Sequence, residues 1–390
     1  MEKFFFTKFK FKKKHMYLSI LLSFFIIAYY HLSSGFVMTS DSNKYSIWAD
    51  GLINYNFNLY QYYFVNEVVP NRVPPILYIV PVLLIAISKI IFGNEWQYVF
   101  LLQNLVFLLF SLIIFAKSLL LIGVRPFLVS ITLPIIIISA DILTWPRYIL
   151  SDINFAFLVV LVTYFVIKGT TEGKFNYSAL FLIIFLMFVS RPSSIPVIFA
   201  ISLFILISKY QIFPRPKIAL LFMLGALISI PLVFSIIYFI FGFYLSENVK
   251  LEYLFNMVKV GMIIHDRPET WVDAPINFID VLFVYFLRII NFFNPYAFTF
   301  SLTHNVLNIF QSFLIFLSIL IWAKFGDNKK PQDRAFFFII LLSFSVAAFH
   351  SFTLIDYDWR FRFPIILPLI MLSPISMEII LKKILTRINI

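Results

Sequence analysis

The sequence predicts an all-α integral membrane protein of about ten transmembrane helices, with further juxtamembrane helices on the extracytoplasmic face. Three observations predict it. Mean hydropathy is +0.94, with 61% of residues hydrophobic and 13% charged, a balance foreign to soluble domains. Apolar runs of about twenty residues, long enough to cross a hydrocarbon core of ~30 Å, recur to the C-terminus. Between them the basic residues fall into loops that alternate with acid-bearing loops. The whole of 1–390 reads as a single polytopic domain.

The first run, 16–38, follows Lys3, Lys8, Lys10, Lys12, Lys13 and Lys14. It is long, no small-residue cleavage site follows, and more spans come after it, so it reads as an uncleaved first helix with a cytoplasmic N-terminus. The later runs are 74–92, 98–118, 126–142, 150–168, 177–191, 194–210, 218–243, 276–293, 304–323, 335–353 and 363–381. If 74–92 crossed the bilayer, the loops holding Lys117 and Arg125, Lys168 and Lys174, and Lys209, Arg215 and Lys217 would all face outward. Laying 74–92 and 276–293 along the outer surface turns those loops inward, together with Lys324, Lys329, Lys330, Arg334, Lys382, Lys383 and Arg387. Each surface segment carries a charge, Lys89 or Arg288, that is costly at mid-bilayer and tolerable at an interface. The runs 177–191 and 194–210, divided by "RPSS", read as two short helices, because one merged run would exceed the bilayer thickness. Both termini are then expected in the cytoplasm, in a bacterial inner or plasma membrane.

Most of the acids fall outside under this arrangement, which directs the search for chemistry to three outer loops, 39–97, 244–303 and 354–363. The net charge of +12 marks cytoplasmic loops and anionic headgroups rather than a nucleic-acid partner. With no cysteine there is no disulfide, thiolate metal site or Cys nucleophile. No HExxH, Gly-rich phosphate loop or 20–50-residue repeat is present.

Asp41, in "SDSNKY", lies just beyond the first span. It suits a general base; equally, Ser40, Asp41 and Ser42 are all good N-caps for a helix continuing through Tyr45, Trp48, Ala49 and Leu52. Asp141 and Asp152 bracket "DILTWPRYILSD", where Trp145 and Tyr148 look like interfacial anchors. Each acid reads either as a solvated loop residue or as part of a site, and Asp152, heading into an apolar span, should face a cavity. Arg72, Arg191, Arg360 and Arg362 are placed to hold a phosphate, since the guanidinium fork matches its oxygens; anchoring to ordinary headgroups is the alternative for each. Asp356 and Asp358 are candidates to neutralise the last two. His265, His304 and His350 are isolated and read as structural or solvated.

Taken in order, "SDSNKYSIWADGL", "PPILY", "FG", "YILSDINFAFL", "RP" and "DWRFRFPIILPLI" resemble the GT-C superfamily of polytopic glycosyltransferases, which includes protein O-mannosyltransferases and the lipid A aminoarabinose transferase. The resemblance covers roughly 16–381. It implies a catalytic base at Asp41, a second acid at Asp152 or, less well matched, Asp141, and donor-phosphate contacts from Arg72, Arg360 or Arg362. This chain departs from the family in having Ser42 where a paired acid is common, and no large extracytoplasmic domain is expected after the last span.

The resemblance implies a polyprenyl-phosphate-linked sugar donor, a lipid, glycan or protein acceptor, and transfer with inversion at the extracytoplasmic face. A divalent cation is left open as cofactor, no dedicated cage being visible. The rivals are a lipid-linked-glycan flippase or transporter, for which internal repeats and mid-bilayer charges are expected, and an O-antigen polymerase or ligase dependent on the 244–303 loop.

Overall fold

The computed structural model describes residues 13–65, 75–241, 249–327, 329–353 and 360–387. Among them the secondary structure is helical apart from one bridge between Val37 and Tyr148. The α-helices are α1 (Lys13–Ser34), α2 (Ser40–Asn54), α3 (Ile79–Phe92), α4 (Trp96–Leu121), α5 (Pro126–Ile137), α6 (Ala140–Thr144), α7 (Asp152–Glu172) and α8 (Tyr177–Phe188). They continue as α9 (Ser194–Lys209), α10 (Pro216–Phe241), α11 (Val249–Lys259), α12 (Phe278–Phe292), α13 (Leu302–Phe325), α14 (Pro331–Thr353) and α15 (Ile366–Arg387).

Local chemistry sets the boundaries that matter. α1 stops at Gly35, whose φ of +71° is open to glycine without strain and whose N–H returns to the His31 carbonyl. Thr39, not the Ser40 to Ser42 run, caps α2: its hydroxyl accepts from the Ser42 N–H while the Ser42 hydroxyl accepts from the Thr39 N–H. Asn277 and Asp280 build the same reciprocal cap on α12.

Seven stretches are long and apolar enough to cross a membrane, or up to eight if the bent pair Pro126–Ile137 and Ala140–Arg147 is one span. The fold is thus that of a multi-pass membrane protein. The difference from ten lies in that pair, which bends by 57°, and in α8 and α9, which at 12 and 16 residues are shorter apolar helices.

The bundle has two chemically different ends. At one, which holds the residues described below, α1 finishes and α7 begins. At the far end the buried Glu378 of α15 accepts from the backbone N–H and Nε of Arg125 (3.2 and 3.3 Å). Gln332 there donates to the Gly123 carbonyl, and Arg334 to Gln211. α3 starts and finishes near the first end: Val80 N–H donates to the Val189 carbonyl, and Lys89 donates to Asp50 of α2 at 2.6 Å and to Ser46. α12 behaves likewise, with Phe278 against Phe239 at the close of α10 and Phe292 stacked on His350 near the close of α14. The Arg288 guanidinium is buried and satisfied by the Met262 and Ser351 carbonyls. Of the candidate spans, α7, α14 and α15 are the most enclosed, and α10 and α13 the most exposed.

Candidate functional site

The segment after α1 is laced to the loop before α7. His31 Nε2 meets the Ile142 carbonyl, and Arg147 donates to the carbonyls of Ser34 and Gly35, satisfying the C-terminus of α1. Val37 then exchanges backbone bonds with Arg147 and Ile149. From the other side Asn104 of α4 donates to the Pro146 and Tyr148 carbonyls. These bonds fix where α2 and α7 begin, and so fix Asp41 and Asp152, each in the first turn of its helix, where a negative charge is favoured.

Arg360 joins those two carboxylates. Its Nη1 donates to Asp41 at 2.8 Å and its Nε to Asp152 at 3.1 Å. Asp152 is buried and also ion-paired with the buried Arg191, which follows α8. The result is a chain Asp41–Arg360–Asp152–Arg191 drawn from four distant parts of the sequence. It runs from a carboxylate that is 38% exposed, with Lys44 beside it at 3.4 Å, to a guanidinium that is 4% exposed. Buried charges of this kind persist only when paired.

Burial pushes the Asp41 carboxyl upward, but the hydrogen bond and charge of Arg360, followed by Lys44, more than reverse it and hold Asp41 below the ordinary carboxylate value. Burial pulls the Arg360 guanidinium down, and Asp152 and Asp41 together raise it above its usual value. Burial raises the Tyr45 phenol, keeping it a neutral group in the wall. Tyr45, Trp48 and Tyr78 form an aromatic patch, with centroids 5.4 to 6.2 Å apart, beside the charged chain.

Arg362 turns to a different partner, Asp141, at 3.2 Å, both buried. His304 lies within electrostatic reach of this pair and of Arg267, and Arg267 sits over the Phe300 ring at 5.0 Å. Between Arg360 and Arg362, the Phe361 ring stacks on His350 at 4.1 Å and lies 5.3 Å from the Arg191 guanidinium carbon. Arg362 also lines a largely apolar cavity of about 360 Å³ enclosed by α10, α13, α14 and α15.

Of the sequence candidates, Asp41, Asp152, Arg191 and Arg360 meet in one cluster, and Asp141 and Arg362 in a neighbouring pair. Arg72, Asp356 and Asp358 lie outside the described residues. The two arginines expected to be neutralised by Asp356 and Asp358 are paired with Asp41, Asp152 and Asp141. Trp145, read as an interfacial anchor, is buried against Phe363 and Tyr148. Sequence reasoning passed over Arg267, Tyr78 and Phe361; only Phe361, framed by two arginines, carried a visible signal. Among the described residues no three His, Asp or Glu side chains gather as a metal site. Comparison with known protein families, with curated proteins and with solved structures finds no match for this chain.

Proposed function

We propose that the protein is a GT-C-like membrane glycosyltransferase that moves a sugar from a polyprenyl-phosphate donor to a lipid, glycan or protein acceptor at the extracytoplasmic face. The observation that carries this reading is the Asp41–Arg360 contact: a partly exposed carboxylate held by a guanidinium that also leads to buried Asp152 and Arg191. A donor phosphodiester competes with Asp41 for Arg360, because its two non-bridging oxygens, sharing one negative charge, match the guanidinium fork as a carboxylate does. Asp41, relieved of its cation, becomes the stronger base. It takes the proton of the acceptor hydroxyl, whose oxygen attacks the anomeric carbon. The bond from that carbon to the phosphate oxygen breaks on the opposite face, giving inversion, and the charge gathering on the leaving phosphate is stabilised by Arg360 and Arg191. Trp48 and Tyr78, half-buried and backed by buried Tyr45, offer ring faces to the sugar, and Arg72 and Arg362 remain donor-phosphate candidates. Each carboxylate of the cluster already rests on a guanidinium, so no step is routed through a divalent ion.

The membrane arrangement we propose has ten spans, counting the bent pair, α8 and α9, with α2, α3 and α12 at the outer interface and both termini cytoplasmic in a bacterial inner membrane. Asp41→Asn removes the proton acceptor while keeping the shape and a hydrogen-bonding oxygen. The expected outcome is loss of sugar transfer by a protein that still purifies folded in detergent, scored by mass spectrometry of surface glycans and lipids. Full retained activity would sink the assignment.

A further inference from the structure

Two lysines converge on one aromatic ring at the end of the bundle away from Asp41. The Lys324 ammonium, in the last turn of α13, lies 5.2 Å from the centroid of the Phe325 ring, and the Lys383 ammonium, from α15, lies 5.8 Å from it. Helix register brings them there. α13 and α15 both start at the cluster end and touch where Ser376 donates to Ser318 at 3.1 Å. Phe325 and Lys383 each stand seven residues further on, two turns along the same faces, so they meet at one level. About 30 Å of helix at 1.5 Å per residue separates Lys383 from Arg362, the thickness of one hydrocarbon core. The ring and its two lysines are therefore at headgroup depth in the leaflet opposite the Asp41 cluster.

The ordinary ending of a membrane helix accounts for Lys324 alone, because a cation in the last turn complements the free carbonyls and a lysine there reaches for the interface. It does not account for Lys383, which comes from another helix. The adjacent Lys382 leans to the buried Glu378 at 3.8 Å, whereas Lys324 and Lys383 are exposed and have neither a hydrogen bond nor an ion pair among the described residues. Each gains from the ring face, yet like charges gathered at one ring repel, and rotation into water would relieve them. An anion between the two ammoniums turns that repulsion into attraction.

The surroundings define what carries the anion. Beside the ring is a cleft of about 70 Å³ lined by Phe325, Ile380, Lys383 and Ile384. From Lys324 toward the bilayer centre, the exposed face of α13 runs through Leu320, Leu317 and Phe313 at helical spacing, an apolar stripe that ends in a charge. We propose that the corner formed by Lys324, Phe325 and Lys383 binds an anionic phospholipid, its phosphate between the two ammoniums and its acyl chains along the cleft and the stripe. A free phosphate would use neither apolar surface. The site is at the opposite end of the bundle from the Asp41–Arg360 contact, and binding is read without sugar transfer, so either reading stands or falls alone.

The test uses the full chain in detergent, with native mass spectrometry of bound dioleoyl phosphatidylglycerol and of dioleoyl phosphatidylcholine, which has the same chains and no net charge. The unaltered protein should prefer the anionic lipid about twentyfold, two lysines at roughly fivefold each. Lys383→Gln should cut the preference to about fivefold, and Lys324→Gln combined with Lys383→Gln should erase it. Lys329→Gln combined with Lys330→Gln, both exposed in the following loop, should leave it unchanged, and equimolar glycerol 3-phosphate should not displace the lipid. Equal binding of the two lipids by the unaltered protein overturns the proposal, as does a preference that survives loss of both Lys324 and Lys383. An equal loss on replacing Lys329 and Lys330 would mean a diffuse basic surface, and displacement by glycerol 3-phosphate an anion site without a lipid; either overturns it too. If the Lys324 and Lys383 double variant does not fold, Lys383→Gln against the Lys329 and Lys330 control decides.

Discussion

Because Arg360 and Lys44 outweigh burial at Asp41, this carboxyl holds its proton less readily in the folded chain than in the unfolded one. The sign of the pH dependence follows from linkage. A lowered folded value contributes stability above the unfolded carboxylate range, about 3.9, and that contribution disappears as pH falls through the folded value. Asp41→Asn, which cannot ionise, should therefore melt below the unaltered protein at pH 7, and the gap should close as pH falls below about 4. Thermal unfolding in detergent across that range measures it; a gap that widens toward acid would mean that Arg360 does not stabilise the ionised form. The same pairing bears on catalysis, since a base so held is weak until something else occupies Arg360.

Each of the elements around the cluster contributes one end rather than a face. The stretch "WRFRFP" shows how. Arg360 reaches Asp41 and Asp152, Arg362 reaches Asp141, and Phe361 fills the space between, stacked on His350 with Arg191 near its ring. Phe361→Leu keeps most of the volume but removes the ring stacking and the cation contact, together about 1–2 kcal/mol. Phe361→Ala adds a cavity and should cost more. Unfolding in detergent checks both, and a leucine variant as stable as the original would show that the ring is not what spaces the arginines. The candidate residues were legible in the sequence because charges are rare in so apolar a chain, and those at helix ends need partners. The partnerships were not legible: Arg360 with Asp41 spans 319 residues, and nothing local favours it over the nearby Asp356 and Asp358. Thr39 displaced the more obvious caps because the reciprocal bond needs a side-chain oxygen acceptor at both ends of a three-residue step, and Thr39 with Ser42 supply it. The spacing of Asn305, Asn308 and Gln311 could have been read as one polar face of a spanning helix, but not that Asn305 alone finds backbone partners.

On the scale of the whole molecule, charge and geometry independently group the same loops at one end of the bundle. The positive-inside rule groups the loops at 117–125, 168–174, 209–217 and 324–334 with both termini from composition alone. The structure ties several of these loops to one another, through Arg125 with Glu378, Gln332 with Gly123 and Arg334 with Gln211, at the end of the bundle away from Asp41. α7 carries the argument to Lys174. It leaves the cluster at Asp152 and runs 21 residues to Glu172, about 31 Å at 1.5 Å per residue, which is one bilayer core. α3 does not upset the parity, because Lys89 returns to Ser46 and Asp50 beside the point from which the chain set out. A topology reporter fused after Lys174 should therefore give the same cytoplasmic signal as one fused before Lys13, and a reporter in the 39–60 stretch should give the opposite one. An extracytoplasmic signal after Lys174 would require α3 to cross the membrane, pulling Lys89 away from Asp50 and placing the Asp41 cluster and the basic loops on the same side.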